Sequence, residues 1–290
     1  MAIQVSGRQI AQEWEKSLQH AVSLLQIPPK LALIVVGNDP AMLSFVRLKK
    51  SRASEIGILV TESVFPSHVT TEELADCVRA YAVDDTIDGI VVQMPLPAHV
   101  ALDEVLSLIP VSKDVDVLSL SAMALFRQDE LPIAPPVALA VQEICTRYEI
   151  VIEDADVLVL GHGRLVGAPV AVWLRHNGAR VTVVDRPVAR LEEFTKEAEV
   201  IISGVGTPCL VRPEHILPGV VLIDAGTSES EGELRGDIDP ACQSLARVMT
   251  PVPGGVGPIT VMMLFRNLVV LAERSRAKVA YDLKRTEIVE

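Results

Sequence analysis

The chain has 290 residues, 49% hydrophobic and 22% charged, which is enough apolar material for one large core or two ordinary ones. Its 26 Lys and Arg face 38 Asp and Glu, giving a formal charge of -12 that argues against non-specific binding to nucleic acid or an anionic membrane. Aromatic residues, at 3%, offer few platforms for stacked bases. The opening MAIQVSGRQIAQEWEK lacks the basic-then-apolar order of a signal peptide, and no uncharged apolar run reaches the roughly 18 residues of a membrane span. Cys77, Cys145, Cys209 and Cys242 are widely separated, with no metal-ligand spacing. A cytoplasmic protein with free thiols and no metal is expected.

The first strand is expected at Lys30 to Gly37, a continuous apolar run closed by the turn Asn38-Asp39-Pro40. From Ala41 to Ile56 the period becomes helical, with Met42, Phe45, Leu48 and Ile56 near one stripe and Gly57 as the stop. A second strand spans Ile58 to Phe65. Thr70 and Glu73 then form a capping box before LADCVRAY. A third strand, Gly89 to Met94, ends at Pro95-Leu96-Pro97, and a short helix covers Ala101 to Leu108. This alternation predicts a small α/β layer structure with right-handed crossovers.

The proline-rich segment LPIAPP, Leu131 to Pro136, reads as a hinge or helix start, and a helix follows from about Val137 to Tyr148. A second series then begins: strand Asp156 to Leu160, helix Leu165 to Asn177, and strands at Arg180 to Val184, Val200 to Ser203 and Val220 to Asp224. Arg247 to Met249 adds a last short strand, and Pro258 to about Val279 a long final helix. The strand DVLVL runs straight into Gly161, Gly163 and Gly167, spaced G-x-G-x-x-x-G and opening a helix. Gly161 permits a tight turn, Gly163 close approach of a pyrophosphate, and the helix N-terminus favours the anion. Asp185 ends the next strand, where an acidic residue accepts bonds from the adenosine ribose hydroxyls and disfavours a 2′-phosphate. Arg186, Arg190 or Arg164 can offset that charge. Asp185 leans to NAD without settling NAD against NADP.

KLALIVVGNDPA, the helix carrying Lys49, DGIVVQMPLP, KDVD, VLGHGRLVGAP and PVPGGVGPIT occur in an order that resembles the methylenetetrahydrofolate dehydrogenase/cyclohydrolase family over nearly the full length. The resemblance implies an α/β fold of two domains: a catalytic folate-binding domain at 1–140, completed by a C-terminal helix at 266–290, and a Rossmann-type domain at 141–265. It implies a cleft between them, a tetrahydrofolate derivative as substrate, NADP as the usual cofactor, and a homodimer associating through the Rossmann domains. Lys49 and Gln93 match the catalytic lysine and its glutamine partner, and Asp116 matches the aspartate that grips the pterin ring. Phe45 stands where the family has tyrosine. Pro253, Gly254 and Gly255 match the loop beside folate and cofactor. His162, Arg164, Thr227 and Arg186 join Gly161, Gly163, Gly167 and Asp185 as cofactor-site residues. The implied reactions are oxidation of 5,10-methylenetetrahydrofolate to the 5,10-methenyl cation and hydrolysis of that cation to 10-formyltetrahydrofolate.

Several positions depart from the family pattern. Phe45 lacks a hydroxyl. Val117 replaces the glycine after KDVD, and Ser119-Leu120 stand where His-Pro is found. The threonine-proline-x-glycine motif is absent; Ala134-Pro135 or Val137-Ala138 is the nearest match. Gly163 occupies a common serine position. A bifunctional enzyme is the leading reading, with a monofunctional or altered-substrate paralogue, or a non-catalytic folate- or nucleotide-binding regulator, as alternatives.

Overall fold

The computed structural model describes residues 2–185, 190–230 and 233–287. In chain order these form β1 (Ile3–Gln4), α1 (Gly7–Ser23), β2 (Lys30–Val36), α2 (Pro40–Ile56), β3 (Leu59–Phe65), α3 (Thr71–Val83), β4 (Gly89–Val92), α4 (Leu102–Ser107), α5 (Leu120–Arg127) and α6 (Pro136–Arg147). There follow β5 (Asp156–Leu160), α7 (Gly167–His176), β6 (Arg180–Val184), α8 (Glu192–Thr195), β7 (Val200–Ser203), β8 (Val221–Asp224), β9 (Ser228–Ser230), β10 (Glu233–Arg235), β11 (Val248–Met249) and α9 (Val256–Glu287). The chain divides into two compact units, residues 13–134 with 264–290 and residues 1–12 with 135–263.

The first unit holds a three-stranded parallel sheet in the order β3-β2-β4. Its centre is β2, whose residues Leu31 to Val35 are fully buried, which explains the unbroken apolar run. Ile34 and Ile90 of the sheet and Leu74 and Val78 of α3 belong to one core cluster. Thr70 accepts from Glu73 N while the Glu73 carboxylate accepts from Thr70 N, so α3 starts on the expected capping box. The final helix closes this unit: a Cβ on Gly89 would lie 2.6 Å from Leu268 of α9.

The second unit is a six-stranded, all-parallel sheet in the order β1-β11-β8-β7-β5-β6, with β9 and β10 paired as a separate antiparallel hairpin. Residues 1–12, expected with the first domain, belong here instead. Ile3 N donates to Arg247 O at 2.8 Å and Val5 N to Met249 O at 2.9 Å, which seats β1 beside β11. A two-residue edge strand carries no periodicity to announce its partner.

One further expectation is corrected. Leu48 is exposed, and the buried stripe of α2 is Met42, Val46, Ala53 and Ile56, with Phe45 half-buried beside it. Val256–Ala277 is long and apolar enough to cross a membrane by length and composition alone, but Arg266, Glu273, Arg274 and Arg276 interrupt it, as expected of a chain with no uncharged run of that length; 67% of its most apolar stretch is buried inside the protein, as in a core helix.

Candidate active site

Asp39 caps α2 by accepting from Met42 N at 2.8 Å, Pro40 opens the helix, and Gly57 at φ 91° ends it. These signals fix the helix phase, setting Phe45 and Lys49 one turn apart on the same side. Gln93 follows β4, at the carboxyl end of the parallel strands, and is only 8% exposed. Its amide Nε2 donates to Met94 O at 2.8 Å, which turns Oε1 toward Lys49. Lys49 Nζ donates to that Oε1 at 2.9 Å.

Asp116 stands close enough for its charge to act on Lys49. Burial raises the Asp116 carboxyl to about 6, against the pull of the Lys49 charge and with a further push from Asp114. Burial lowers the Lys49 pKa, and the Asp116 charge opposes that shift. The lysine is therefore better able to exchange a proton than a solvated one, while the Asp116 charge still acts on it.

Residues the sequence did not single out shape the loop around Asp116. Lys113 Nζ donates to the carbonyls of Tyr81, Ala82 and Asp84 at 3.1, 2.9 and 2.8 Å, closing the end of α3. The buried Asp114 carboxylate accepts from Leu118 N at 3.2 Å and Ser119 N at 2.8 Å. Ser119 in turn caps α5 by accepting from Ala122 N. From α9, the fully buried Asn267 donates to Val115 O at 2.9 Å and Ala134 O at 2.8 Å. These bonds hold Asp116 from both sides along the chain.

In the other unit, Gly161 turns at φ 88°, and a Cβ on Gly167 would lie 2.0 Å from Gly161 O, so both positions demand glycine. Gly163 differs: among the described residues, a Cβ there would meet nothing within 4 Å. Exposed, it leaves open room over the turn, which suits a pyrophosphate. Asp185 Oδ1 accepts from the backbone N–H of exposed His162 at 2.7 Å. Arg164 is half-buried in the same turn. Thr227 is exposed, its carbonyl 3.8 Å from where a Cβ on Gly206 would stand. Arg190 pairs with Glu193 at 3.1 Å, and Arg186 lies outside the described residues. Pro253, Gly254 and Gly255 follow β11 in this unit; Gly255 O would lie 1.8 Å from a Cβ on Gly7, so the loop packs on the start of α1.

A glycine turn between a parallel strand and a helix, with an acidic residue ending the next strand, defines a nucleotide-dependent α/β dehydrogenase. A separate α/β unit carries the Lys49–Gln93 bond with the Asp116 charge acting on the lysine. The family models agree: residues 5–116 match the tetrahydrofolate dehydrogenase/cyclohydrolase catalytic domain and residues 135–276 its NAD(P)-binding domain. The chain belongs to the tetrahydrofolate dehydrogenase/cyclohydrolase family. A bifunctional protein FolD from Staphylococcus aureus is 36% identical over 277 residues, covering 94% of this chain and 96% of that relative. The crystal structure of FolD from Campylobacter jejuni superposes with a TM-score of 0.91 at 31% identity, covering 94% and 99% of the two chains. The FolD of Trypanosoma brucei, complexed with NADP cofactor and inhibitor, gives 0.90 at 34% identity, covering 94% and 98%. The chain is thus a methylenetetrahydrofolate dehydrogenase and methenyltetrahydrofolate cyclohydrolase of one-carbon metabolism that uses a nicotinamide nucleotide.

Proposed function

We propose that Lys49 handles the proton of the cyclohydrolase step, with Gln93 orienting its amine and Asp116 gripping the folate. The observation that carries this reading is the 2.9 Å bond from Lys49 Nζ to Gln93 Oε1 beside a carboxylate raised by burial. A bound nicotinamide supplies the acceptor for the hydride of the one-carbon bridge, so this step depends chiefly on positioning. Asp116, when ionised, accepts two N–H bonds from the pterin at once. Phe45 stacks on the flat part of the substrate, and Pro253, Gly254 and Gly255 bring backbone close to it. Water then adds to the methenyl carbon. Lys49 takes one proton from that water, and the other passes to N5 as the bond between N5 and the one-carbon unit breaks, opening the ring to the 10-formyl product.

The test is Lys49→Met, which keeps most of the stem. Decay of the methenyl absorbance is expected to slow by roughly 10²-fold or more, and hydride transfer by less. A variant that folds, binds folate and opens the ring at the parent rate overturns the role of Lys49.

Gly161, Gly163 and Gly167, with His162 and Arg164, cradle the pyrophosphate, and Asp185 takes the ribose, with Thr227 at the margin. Because a carboxylate there opposes a 2′-phosphate, turnover with NAD is expected alongside NADP. A hundredfold preference for NADP in kcat/KM, ~2.7 kcal/mol, refutes the argument from Asp185. A homodimer associating through the dinucleotide-binding unit, and a cytoplasmic location, complete the reading; the family resemblance supports both.

A further inference from the structure

In the six-stranded sheet the chain passes from β5 to β6 on one side and then returns to β7 and β8 on the other. The carboxyl ends of β5 and β7 are therefore the topological switch point, where open parallel sheets bind their ligands. Two loops meet there: the glycine turn after β5 and residues 204–207 after β7. They touch closely. A Cβ on Gly161 would lie 3.0 Å from Gly204 O, and a Cβ on Gly204 would lie 2.3 Å from Val166 Cγ1.

The glycine turn is closed by its own bonds, Val166 N and Ala168 N donating to Gly163 O at 3.3 and 3.1 Å. The 204–207 loop is held by a buried carboxylate from a distant segment: Asp237, just past the β9–β10 hairpin and 0% exposed. Its Oδ2 accepts from Ser203 Oγ and from Val205 N, each at 2.7 Å. Its Oδ1 accepts from Thr207 N at 2.7 Å. Gly226 leaves room for this carboxylate, since a Cβ there would lie 2.1 Å from Oδ2. Three donors converging on one group call for an acceptor with no proton of its own, and bonds of this length to a charged acceptor are the stronger kind. All three come from one five-residue span, Ser203 to Thr207, at the switch point.

We propose that Asp237 is a positioning residue for the nicotinamide nucleotide: it sets the 204–207 loop as the second wall of the crevice whose first wall is the glycine turn. The proposal rests on the glycine turn being the dinucleotide site. Asp237 acts through Val205 and Thr207 rather than by touching the ligand. An amide in its place keeps one acceptor oxygen and turns its NH₂ toward donors, so part of the loop is released.

The experiment measures NADPH binding by fluorescence, the KM of each substrate and kcat, using the intact chain and three variants. Gly163→Leu controls for the site itself: it has open space to fold into, and it abolishes NADPH binding if the turn is the site. Asp237→Asn is expected to raise the NADPH Kd tenfold or more, while the folate KM and kcat at saturating cofactor stay within threefold. Should Asp237→Asn fail to fold, Ser203→Ala decides, with an expected threefold or larger rise in cofactor KM alone. An unchanged cofactor affinity in the folded variant overturns the proposal if Gly163→Leu has lost binding. Loss of folate and cofactor affinity in equal measure also overturns it. Unaltered binding by Gly163→Leu overturns the placement of the site on the turn, and with it the role given to Asp237.

Discussion

At φ 56°, Val117 sits in the left-handed region, where a β-branched side chain crowds its own backbone. It occupies the position at which relatives of this chain were expected to carry glycine, one residue past Asp116. The strain amounts to about 1–2 kcal/mol. Yet the side chain is fully buried, and burying a valine contributes about 1.5–3 kcal/mol. Packing therefore exceeds strain, which is how valine is tolerated here. The comparison orders the variants. Val117→Ala loses burial and keeps the strain, so it is expected to cost more than Val117→Gly, which loses burial but relaxes the backbone. Urea unfolding of both checks this, and alanine proving the more stable variant would show the strain to be absent. Asp116 itself was legible in KDVD, but the demand on its neighbour was visible only in the backbone angle.

Among elements, α9 does more than fill space under the three-stranded sheet. Asn267 reaches two carbonyls, one on each side of the Asp116 loop and α5, while its own Oδ1 has no partner among the described residues. Asn267→Leu keeps the volume, leaves Val115 O and Ala134 O without this donor, and removes the unpaired oxygen. Two lost bonds at about 1 kcal/mol each outweigh the single relief, so destabilisation of about 1–2 kcal/mol is expected. Because the loop carries Asp116, the folate KM should rise while NADPH affinity is unchanged; a rise in both would show a general loss of fold. None of this was readable from the sequence, for a reason that recurs. Lys113 and Asn267 donate to backbone carbonyls, Asp114 and Asp237 accept from backbone N–H groups, and neither group leaves a trace in residue identity. Elements with period or punctuation were readable: β2 from its unbroken apolar run, α3 from its capping box, and the glycine turn from the strand before it. In α1, Ile10, Trp14, Leu18 and Val22 recur every four residues, and Ile10, Leu18 and Val22 are buried, so its period was present in a segment read only for a targeting signal. The two-residue strand β1 had no such period, and only its pairing with β11 reveals where residues 1–12 belong.

For the molecule as a whole, two raised carboxyls, Asp224 in the dinucleotide-binding unit and Asp116 in the other, make stability respond to pH in the same direction. Asp224, at the end of β8, is 2% exposed and raised to about 7, first by burial and also by the charge of Asp237. Its bonds from Ile238 N at 2.8 Å and Gly226 N at 3.0 Å pull the other way without prevailing. The folded chain thus holds a proton that the unfolded chain releases at the ordinary carboxylate value of 3.8. Where the native state binds more protons, stability falls as pH rises. Asp224 therefore contributes a loss beginning near pH 4 and complete a little above 7, opposite in sign to acid denaturation. In the dinucleotide-binding unit Asp156 has a lowered value and acts in the normal direction, but it lies near the surface, where screening weakens it. Within pH 5–8 the Asp224 effect should dominate this unit, with a fall of at least about 1 kcal/mol. Trp173 of α7 lies in this unit and Trp14 in the other, so Trp14→Phe leaves a single reporter for urea unfolding. In that background Asp224→Asn is expected to start less stable at pH 5, because its amide faces one of the two N–H donors, and then to stay level as the parent falls. A parent whose midpoint is flat or rises from pH 5 to 8, or an asparagine variant with the parent's slope, would show that Asp224 does not carry the proton.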